Sequence, residues 1–173
     1  MAKAWIETCS LGFNSTLQML AGSFYRSIYP KCKVIRLTKG DKPHILDKEF
    51  HIDVILEQAN GMKITLQEKF RKAKDLKYHD FTLEYESNRW THVKGEWFLL
   101  CSDLYAYGWA TPNKDAFLRF YIFKVFPFKQ ALIKRQIKPK HLQKNERYGD
   151  ANFYPFSFDD FPDEWFLLKY KRR

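Results

Sequence analysis

Three residues within the segment 51–70 have the types and spacing of a divalent-metal site: Asp53, Gln67 and Lys69. The aspartate offers a carboxylate, the glutamine an amide oxygen and the lysine a positive charge. Mg²⁺ prefers oxygen ligands, and a bound metal polarises a phosphate group and lowers the pKa of its bound water. Together, these three side chains would serve the cleavage of a phosphodiester bond.

The loop of a predicted β-hairpin decides whether the three side chains meet. Side chains alternate between the two faces of a strand, so Gln67 and Lys69 share one face. A two-residue turn would place Asp53 opposite Glu68 and leave Gln67 and Lys69 on the other face. The register of the hairpin is therefore the first thing that the sequence must determine.

A three-residue loop, 59–61, with Gly61 in the left-handed region, pairs Gln58 with Met62 and sets Asp53 across from Gln67. One face of the hairpin is then apolar, with Ile52, Val54, Leu56, Met62, Ile64 and Leu66. The other face is polar, with His51, Asp53, Glu57, Lys63, Thr65, Gln67 and Lys69. Each apolar side chain contributes roughly 1.5–3 kcal/mol when fully buried, so we predict the three-residue loop.

An aspartate followed after a hairpin by Gln67-Glu68-Lys69 resembles the PD-(D/E)xK nuclease superfamily, in the Gln-x-Lys form of its Mrr-like or resolvase-like members. The resemblance covers roughly residues 15–126. It implies a single nuclease-like domain over 1–173, of α/β class, with a restriction-endonuclease-like core in which helices flank a central mixed β-sheet. The implied activity is that of a Mg²⁺- or Mn²⁺-dependent endonuclease on DNA, with branched or structured DNA as the expected substrate. Small nucleases of this kind are common in phages and mobile elements.

The resemblance also implies a role for each residue of the motif. Asp53 would be the main metal ligand, Gln67 would add its amide oxygen, and Glu68 would add its backbone carbonyl. Lys69 would orient or help to deprotonate the attacking water and offset the negative charge of the transition state.

Gln67 is neutral where such sites commonly carry an acid, so another carboxylate is expected to assist the metal. Glu84 and Glu86, on a predicted strand, are the candidates, with solvent-facing positions as the alternative for each. His51, two residues before Asp53, is a candidate for contact with the metal's waters or the phosphate, with a strand-end histidine as the alternative. Gln18, Asp103 and the remaining histidines are weaker candidates, and for Asp103 we favour a structural role.

The charge of the chain favours a polyanionic partner, because thirty Lys and Arg against twenty acids leave a net charge of +10. Basic residues cluster at 69–77, at 129–147 and at the C-terminal end. The predicted nucleic-acid contacts are Arg71, Lys72, Lys74, Lys134, Arg135 and Lys138. Charge alone does not separate a nuclease from a nucleic-acid-binding module with weak or lost catalysis, and the neutral Gln67 keeps that alternative open. A homodimer is expected if both DNA strands are cut.

The predicted elements surround the hairpin in one α/β domain. A helix begins at Ser15, with Gln18 completing a capping box, and ends before Pro30. We predict strands at 31–37, 81–86, 97–107 and 117–126, a short helix at 130–136, a further segment at 152–158, and an aromatic closing segment at 161–170. The aromatic residues, 18% of the chain, are expected mainly in the core.

Composition excludes several other classes of site. Cys9, Cys32 and Cys101 form no Cys-x-x-Cys pair, so we expect reduced thiols in the core rather than disulfides or a zinc knuckle. The sequence contains no Gly-rich phosphate loop. No apolar run approaches the roughly 18 residues that span a bilayer, and no secretory signal is evident, so we expect a soluble, cytoplasmic protein.

Overall fold

The structure is a computed structural model that describes residues 14–37, 45–144 and 151–172. Its first helix, α1 (Ser15–Ile28), presents Leu17, Ala21 and Tyr25 to the core at helical spacing. The N-cap is Asn14, whose Oδ1 accepts a hydrogen bond from the Leu17 N–H at 3.0 Å. The predicted capping box at Ser15 is therefore wrong by one position, while the predicted end before Pro30 is confirmed.

In the described ranges, ten strands and three further α-helices follow α1. The strands are β1 (Lys33–Arg36), β2 (Val54–Glu57), β3 (Lys63–Arg71), β4 (Asp80–Asn88), β5 (Val93–Lys94), β6 (Leu104–Ala110), β7 (Phe117–Lys124), β8 (Gln143–Lys144), β9 (Asn152–Ser157) and β10 (Phe166–Lys171). The helices are α2 (Ile45–Phe50), α3 (Glu96–Leu99) and α4 (Val125–Ile133), with 3₁₀ turns at Ala73–Tyr78, Phe158–Asp160 and Asp163–Trp165.

The strands form two sheets. A six-stranded sheet has the order β1-β2-β3-β6-β7-β10, in which β3 and β6 run parallel and the other neighbours run antiparallel. A four-stranded antiparallel sheet has the order β5-β4-β9-β8. The prediction of an α/β fold with a central mixed sheet is confirmed.

The two faces of the central sheet pack against different layers. On one face, Leu17, Ala21 and Tyr25 of α1 pack with Val54 and Leu66. On the other face, an aromatic cluster joins the central sheet to the four-stranded sheet and α4; it includes Phe81, Tyr105, Tyr107, Phe123, Phe128 and Phe156. One helix, α1, therefore covers one face, and the second sheet together with α4 covers much of the other.

Two predicted elements differ from the structure. The segment 97–107 is not one strand, because α3 begins after Gly95, whose carbonyl accepts the N–H groups of Phe98 and Leu99, and β6 starts only at Leu104. The helix predicted at 130–136 begins five residues earlier, at Val125, because Pro127 is tolerated in a first helical turn.

Of the predicted core thiols, Cys32 is buried and Cys101 is exposed, and both are free; Cys9 lies outside the described residues. No helix in the described part of the chain is long and apolar enough to cross a membrane.

Candidate active site

The register of the β2–β3 hairpin is the one predicted from the three-residue loop. Val54 pairs with Leu66 and Glu57 with Lys63, the Gln58 N–H donates to the Met62 carbonyl at 2.9 Å, and Gly61 has a φ of 82°. The apolar face packs against α1, except that Met62 is half exposed at the loop. The polar face of β3 therefore looks toward β4 and α3.

The ladder between β2 and β3 ends one pair short of the predicted Asp53–Gln67 pair. The last ladder pair is Val54–Leu66, and the Asp53 N–H also reaches the Leu66 carbonyl, at 3.0 Å. The carboxylate Oδ2 of Asp53 instead accepts the Glu68 N–H at 2.8 Å. The direct pairing of Asp53 with Gln67 is thus not formed, and the carboxylate lies at the end of β2 against the peptide that joins Gln67 to Glu68.

Asp53 lies in acidic surroundings. Burial raises the pKa of its carboxyl well above the ordinary value, and the nearby carboxylates of Glu68 and Asp47 raise it further. The Glu68 side chain itself contacts the Arg36 guanidinium and the Tyr25 hydroxyl on the α1 side of the sheet. A positive charge at Asp53 would relieve this repulsion.

Gln67 presents an acceptor that the described residues leave unpaired. The residue is only 8% exposed, and its Oε1 is buried with no hydrogen-bond partner in the described part of the chain. Leaving a buried polar group unsatisfied costs about 1–3 kcal/mol. An oxygen in this condition is suited to accept a cation or a donor group of a ligand.

Lys69 is held by acceptors on the opposite face from Glu68. Its Nζ lies 2.8 Å from Glu96 Oε2, 3.7 Å from Glu84 Oε1 and 3.3 Å from the Thr82 carbonyl. Burial alone would lower the pKa of Lys69, but the charges of Glu96 and Glu84 outweigh it and raise the pKa. Lys69 therefore stays an ammonium at neutral pH, which suits the stabilisation of negative charge better than proton abstraction.

Glu96 is a central residue that the sequence-based reasoning missed. It is 3% exposed and accepts hydrogen bonds from Lys69, from the Tyr105 hydroxyl at 2.5 Å and from the Glu84 N–H at 3.1 Å. Burial would raise the pKa of its carboxyl, but Lys69 and His51 outweigh that effect and lower it. The available signal was a single acid, Glu96, between Gly95 and the apolar run 97–100.

The predicted helper residues separate into two places. Glu84 lies beside Lys69, and His51, in the left-handed region with a φ of 50°, is close enough to Glu96 to lower the pKa of its carboxyl. Glu86 lies elsewhere, bonded to His92 at 2.8 Å and to Asn152 at 2.6 Å, which together lower its pKa. Glu84 and His51 thus belong with Lys69, and Glu86 does not.

Two weaker candidates take part in the framework of the fold. Asp103 Oδ2 accepts both the N–H and the Oγ1 hydroxyl of Thr65 at 2.8 Å, which ties the start of β6 to β3. The structural role predicted for Asp103 is confirmed. The Gln18 carbonyl accepts the Arg36 guanidinium at 2.9 Å.

The predicted basic contacts follow β3 and α4. Arg71 lies 3.6 Å from Asp75, Lys72 precedes the 3₁₀ turn, and the exposed residues are Lys74, Lys134, Arg135 and Lys138. Burial raises the pKa of Asp80, whereas Lys140 and Arg71 act to lower it. Both Lys140 and Arg71, one from each of two basic clusters, thus lie near enough to Asp80 to act on its charge.

The donor set determines which metal the site could hold. Within the described residues, no group of three or more His, Cys, Asp or Glu is arranged around a common point. The available oxygens are the Asp53 carboxylate and the unpaired Gln67 amide, together with backbone carbonyls, because the Glu68 carboxylate is engaged by Arg36 and Tyr25. Few protein ligands and several retained waters are typical of Mg²⁺ rather than of Zn²⁺.

Comparison with protein-family models, with curated proteins and with solved structures finds no match to this chain. Its function must therefore be inferred from the residues and geometry of the candidate site.

Proposed function

We propose that this protein is a metal-dependent endonuclease that hydrolyses phosphodiester bonds in DNA on a restriction-endonuclease-like core. The observation that carries the proposal is the buried, unpaired Oε1 of Gln67, one peptide away from the point where the Asp53 carboxylate binds the β3 backbone. The unpaired Gln67 oxygen and the repelled Asp53 carboxylate are both donors of the kind that a hard cation binds.

In the proposed mechanism, Asp53 and Gln67 hold Mg²⁺ or Mn²⁺, with the Glu68 carbonyl as a further ligand. The metal, when bound, supplies polarisation of the scissile phosphate and acidification of a water. Lys69 contributes a fixed positive charge to the pentavalent transition state, and Glu96, Glu84 and Tyr105 position that ammonium without contacting the substrate. The raised pKa of Lys69 favours this electrostatic role over that of a general base.

The charge of the molecule supports DNA as the substrate. The net charge is +10, and Lys140 and Arg71, from two of the three basic clusters, both act on Asp80, which follows the end of β3 that carries Lys69. Such a surface attracts a polyanion through release of condensed counterions. We propose branched or structured DNA as the substrate, and a homodimer where both strands are cut.

A second function is favoured by one observation. The Lys69 ammonium is already paired with the buried Glu96 carboxylate, so its charge is partly neutralised before any substrate arrives. A nucleic-acid-binding module with weak or lost catalysis would tolerate this arrangement, whereas a nuclease needs the charge of Lys69 to act beyond the pair.

Cleavage assays test the proposal. Supercoiled plasmid and a synthetic four-way junction are incubated with the protein in Mg²⁺, Mn²⁺ or EDTA, alongside Asp53→Ala, Gln67→Ala and Lys69→Ala. Lys63→Ala is the matched control, because Lys63 lies on the same strand but is exposed at its far end. We expect cleavage by the wild type and the control in metal only, and none by the other variants.

The outcomes separate the two functions. Cleavage that persists in EDTA or in the Asp53→Ala variant would show that the proposed metal site does not carry out the reaction. DNA binding without cleavage by the wild type in either metal would select the binding module.

A further inference from the structure

A basic groove of about 550 Å³ lies between α1 and the edge strand β1. The helix contributes Gln18, Gly22 and Arg26 to its lining, and the strand contributes Lys33, Ile35 and Arg36. Among the described residues that line it, three are basic and none is acidic. A groove of this size and charge is suited to a segment of a polyanionic strand, while a whole duplex would need an open surface.

The three bases differ in how firmly they are held. Arg36 is fixed at one end of the groove by the Glu68 carboxylate and the Gln18 carbonyl. The Lys33 side chain is 74% exposed and lies 4.0 Å from Glu57, and an exposed pair at this distance holds a lysine weakly. Lys33 is therefore available for an anion in the groove.

Arg26 lies along the helix side of the groove, beside Gly22. A Cβ at Gly22 would lie 3.5 Å from Arg26 Nη1, which is an ordinary contact, so the fold does not require a glycine here. A glycine inside a helix is nevertheless less favourable than alanine. The missing side chain keeps the floor of the groove open beneath the guanidinium.

The groove ends at the candidate active site. Arg36 contacts Glu68, and the Glu68 N–H binds the Asp53 carboxylate, so only one residue separates the basic lining from the proposed metal ligand. We propose that the groove binds the sugar-phosphate backbone of one nucleic-acid strand and leads it to Asp53. The binding of a strand stands on the groove itself, and only its direction toward Asp53 rests on the proposed function.

Binding measurements in EDTA test the groove without requiring cleavage. The probe is a fluorescein-labelled single-stranded DNA of twelve nucleotides, and the double variant is Arg26→Gln with Lys33→Gln. The matched control is Lys114→Gln with Lys124→Gln, which removes the same charge from the turn before β7 and from the last residue of β7, on the far half of the central sheet. We expect the groove variant to lose about tenfold in affinity at low salt, and its slope of log affinity against log salt to fall by roughly 1.4, for two single-strand phosphate contacts.

Each outcome decides one question. Equal losses in the groove and control variants would show that only the overall charge matters and would overturn the groove. So would displacement of the probe by inorganic phosphate at constant ionic strength. If the groove variant alone loses affinity but the wild type never cuts DNA, the groove is supported and the nuclease proposal is rejected. If the wild type cuts DNA but the Arg26 and Lys33 substitutions leave its affinity unchanged, the nuclease proposal is supported and the groove is rejected.

Discussion

Replacing Lys69 by methionine should destabilise the protein through Glu96, and the size of the effect follows from burial. The side chains of Lys69 and Glu96 are 18% and 4% exposed, and their charged atoms are 2.8 Å apart. Without Lys69, the donors left to the Glu96 carboxylate within the described part of the chain are the Tyr105 hydroxyl and the Glu84 N–H. Removing one partner of a buried ion pair costs about 3–5 kcal/mol, because the other charge is left buried without compensation.

Glu96→Gln should cost less, about 1–3 kcal/mol, because Lys69 retains Glu84 at 3.7 Å and the glutamine can still accept a hydrogen bond. The double variant, Lys69→Met with Glu96→Gln, leaves neither charge of this pair buried alone and should be more stable than Lys69→Met alone. We therefore expect a coupling free energy of at least about 1.5 kcal/mol from the double-mutant cycle.

Urea denaturation of the four proteins gives the free energies of unfolding. The matched control is the exposed pair Lys33–Glu57, 4.0 Å apart, for which the coupling from Lys33→Met and Glu57→Gln should lie below about 1 kcal/mol. If the effects of Lys69→Met and Glu96→Gln add to within about 0.5 kcal/mol, the two are not a buried pair in solution and the argument for Lys69 fails. Under the proposed function, the double variant recovers stability but not cleavage.

Three further predictions concern Asp53, the metal and Gly22. In EDTA, Asp53→Asn should raise the melting temperature near neutral pH, because it removes a carboxylate whose pKa is raised in the folded state by burial and by Glu68. This gain in melting temperature should fade as the pH falls through the raised pKa toward the unfolded value of about 3.9. A gain that stays constant with pH would contradict the prediction. Mg²⁺ at one hundred times its dissociation constant should stabilise the wild type by about 2.7 kcal/mol in thermal denaturation and leave the stability of Asp53→Ala unchanged. Equal shifts of the melting temperature in both proteins would show that the metal binds elsewhere. Gly22→Ala should stabilise the fold by about 0.5–1 kcal/mol in urea denaturation while weakening binding of the single-stranded probe, and a loss of stability would show that the added Cβ does not fit.

The hairpin was predictable because its apolar residues alternate. Only the three-residue loop collects Val54, Leu56 and Leu66 on one face, and those residues are fully buried. The departure of Asp53 from the ladder was not predictable, because it depends on one side-chain hydrogen bond to the Glu68 N–H rather than on any repeating pattern.

Contacts between residues distant in the sequence escaped prediction for a different reason. Glu96 reaches Lys69 across 27 positions, and the pairing of β4 with β9 joins residues such as Phe81 and Phe156. A pattern of apolar residues indicates that a strand is buried but not which element covers it. The apolar run after Glu96 therefore suggested a strand, although a helical turn at its start is what aims the carboxylate at Lys69.

The alternation of β3 explains why its consecutive residues serve different purposes. Glu68 points to α1 and joins Arg36 and Tyr25, whereas Lys69 points to the aromatic layer and joins Glu96. Asp53 meets this strand at the Glu68 N–H, and the neighbouring Gln67 carries an oxygen without a partner among the described residues. The site therefore has an acidic side that a cation would neutralise and a basic side that is already balanced by Glu96. Changes on the acidic side should alter metal affinity, and changes on the basic side should alter folding stability first, so the two kinds of measurement assign each residue to its network.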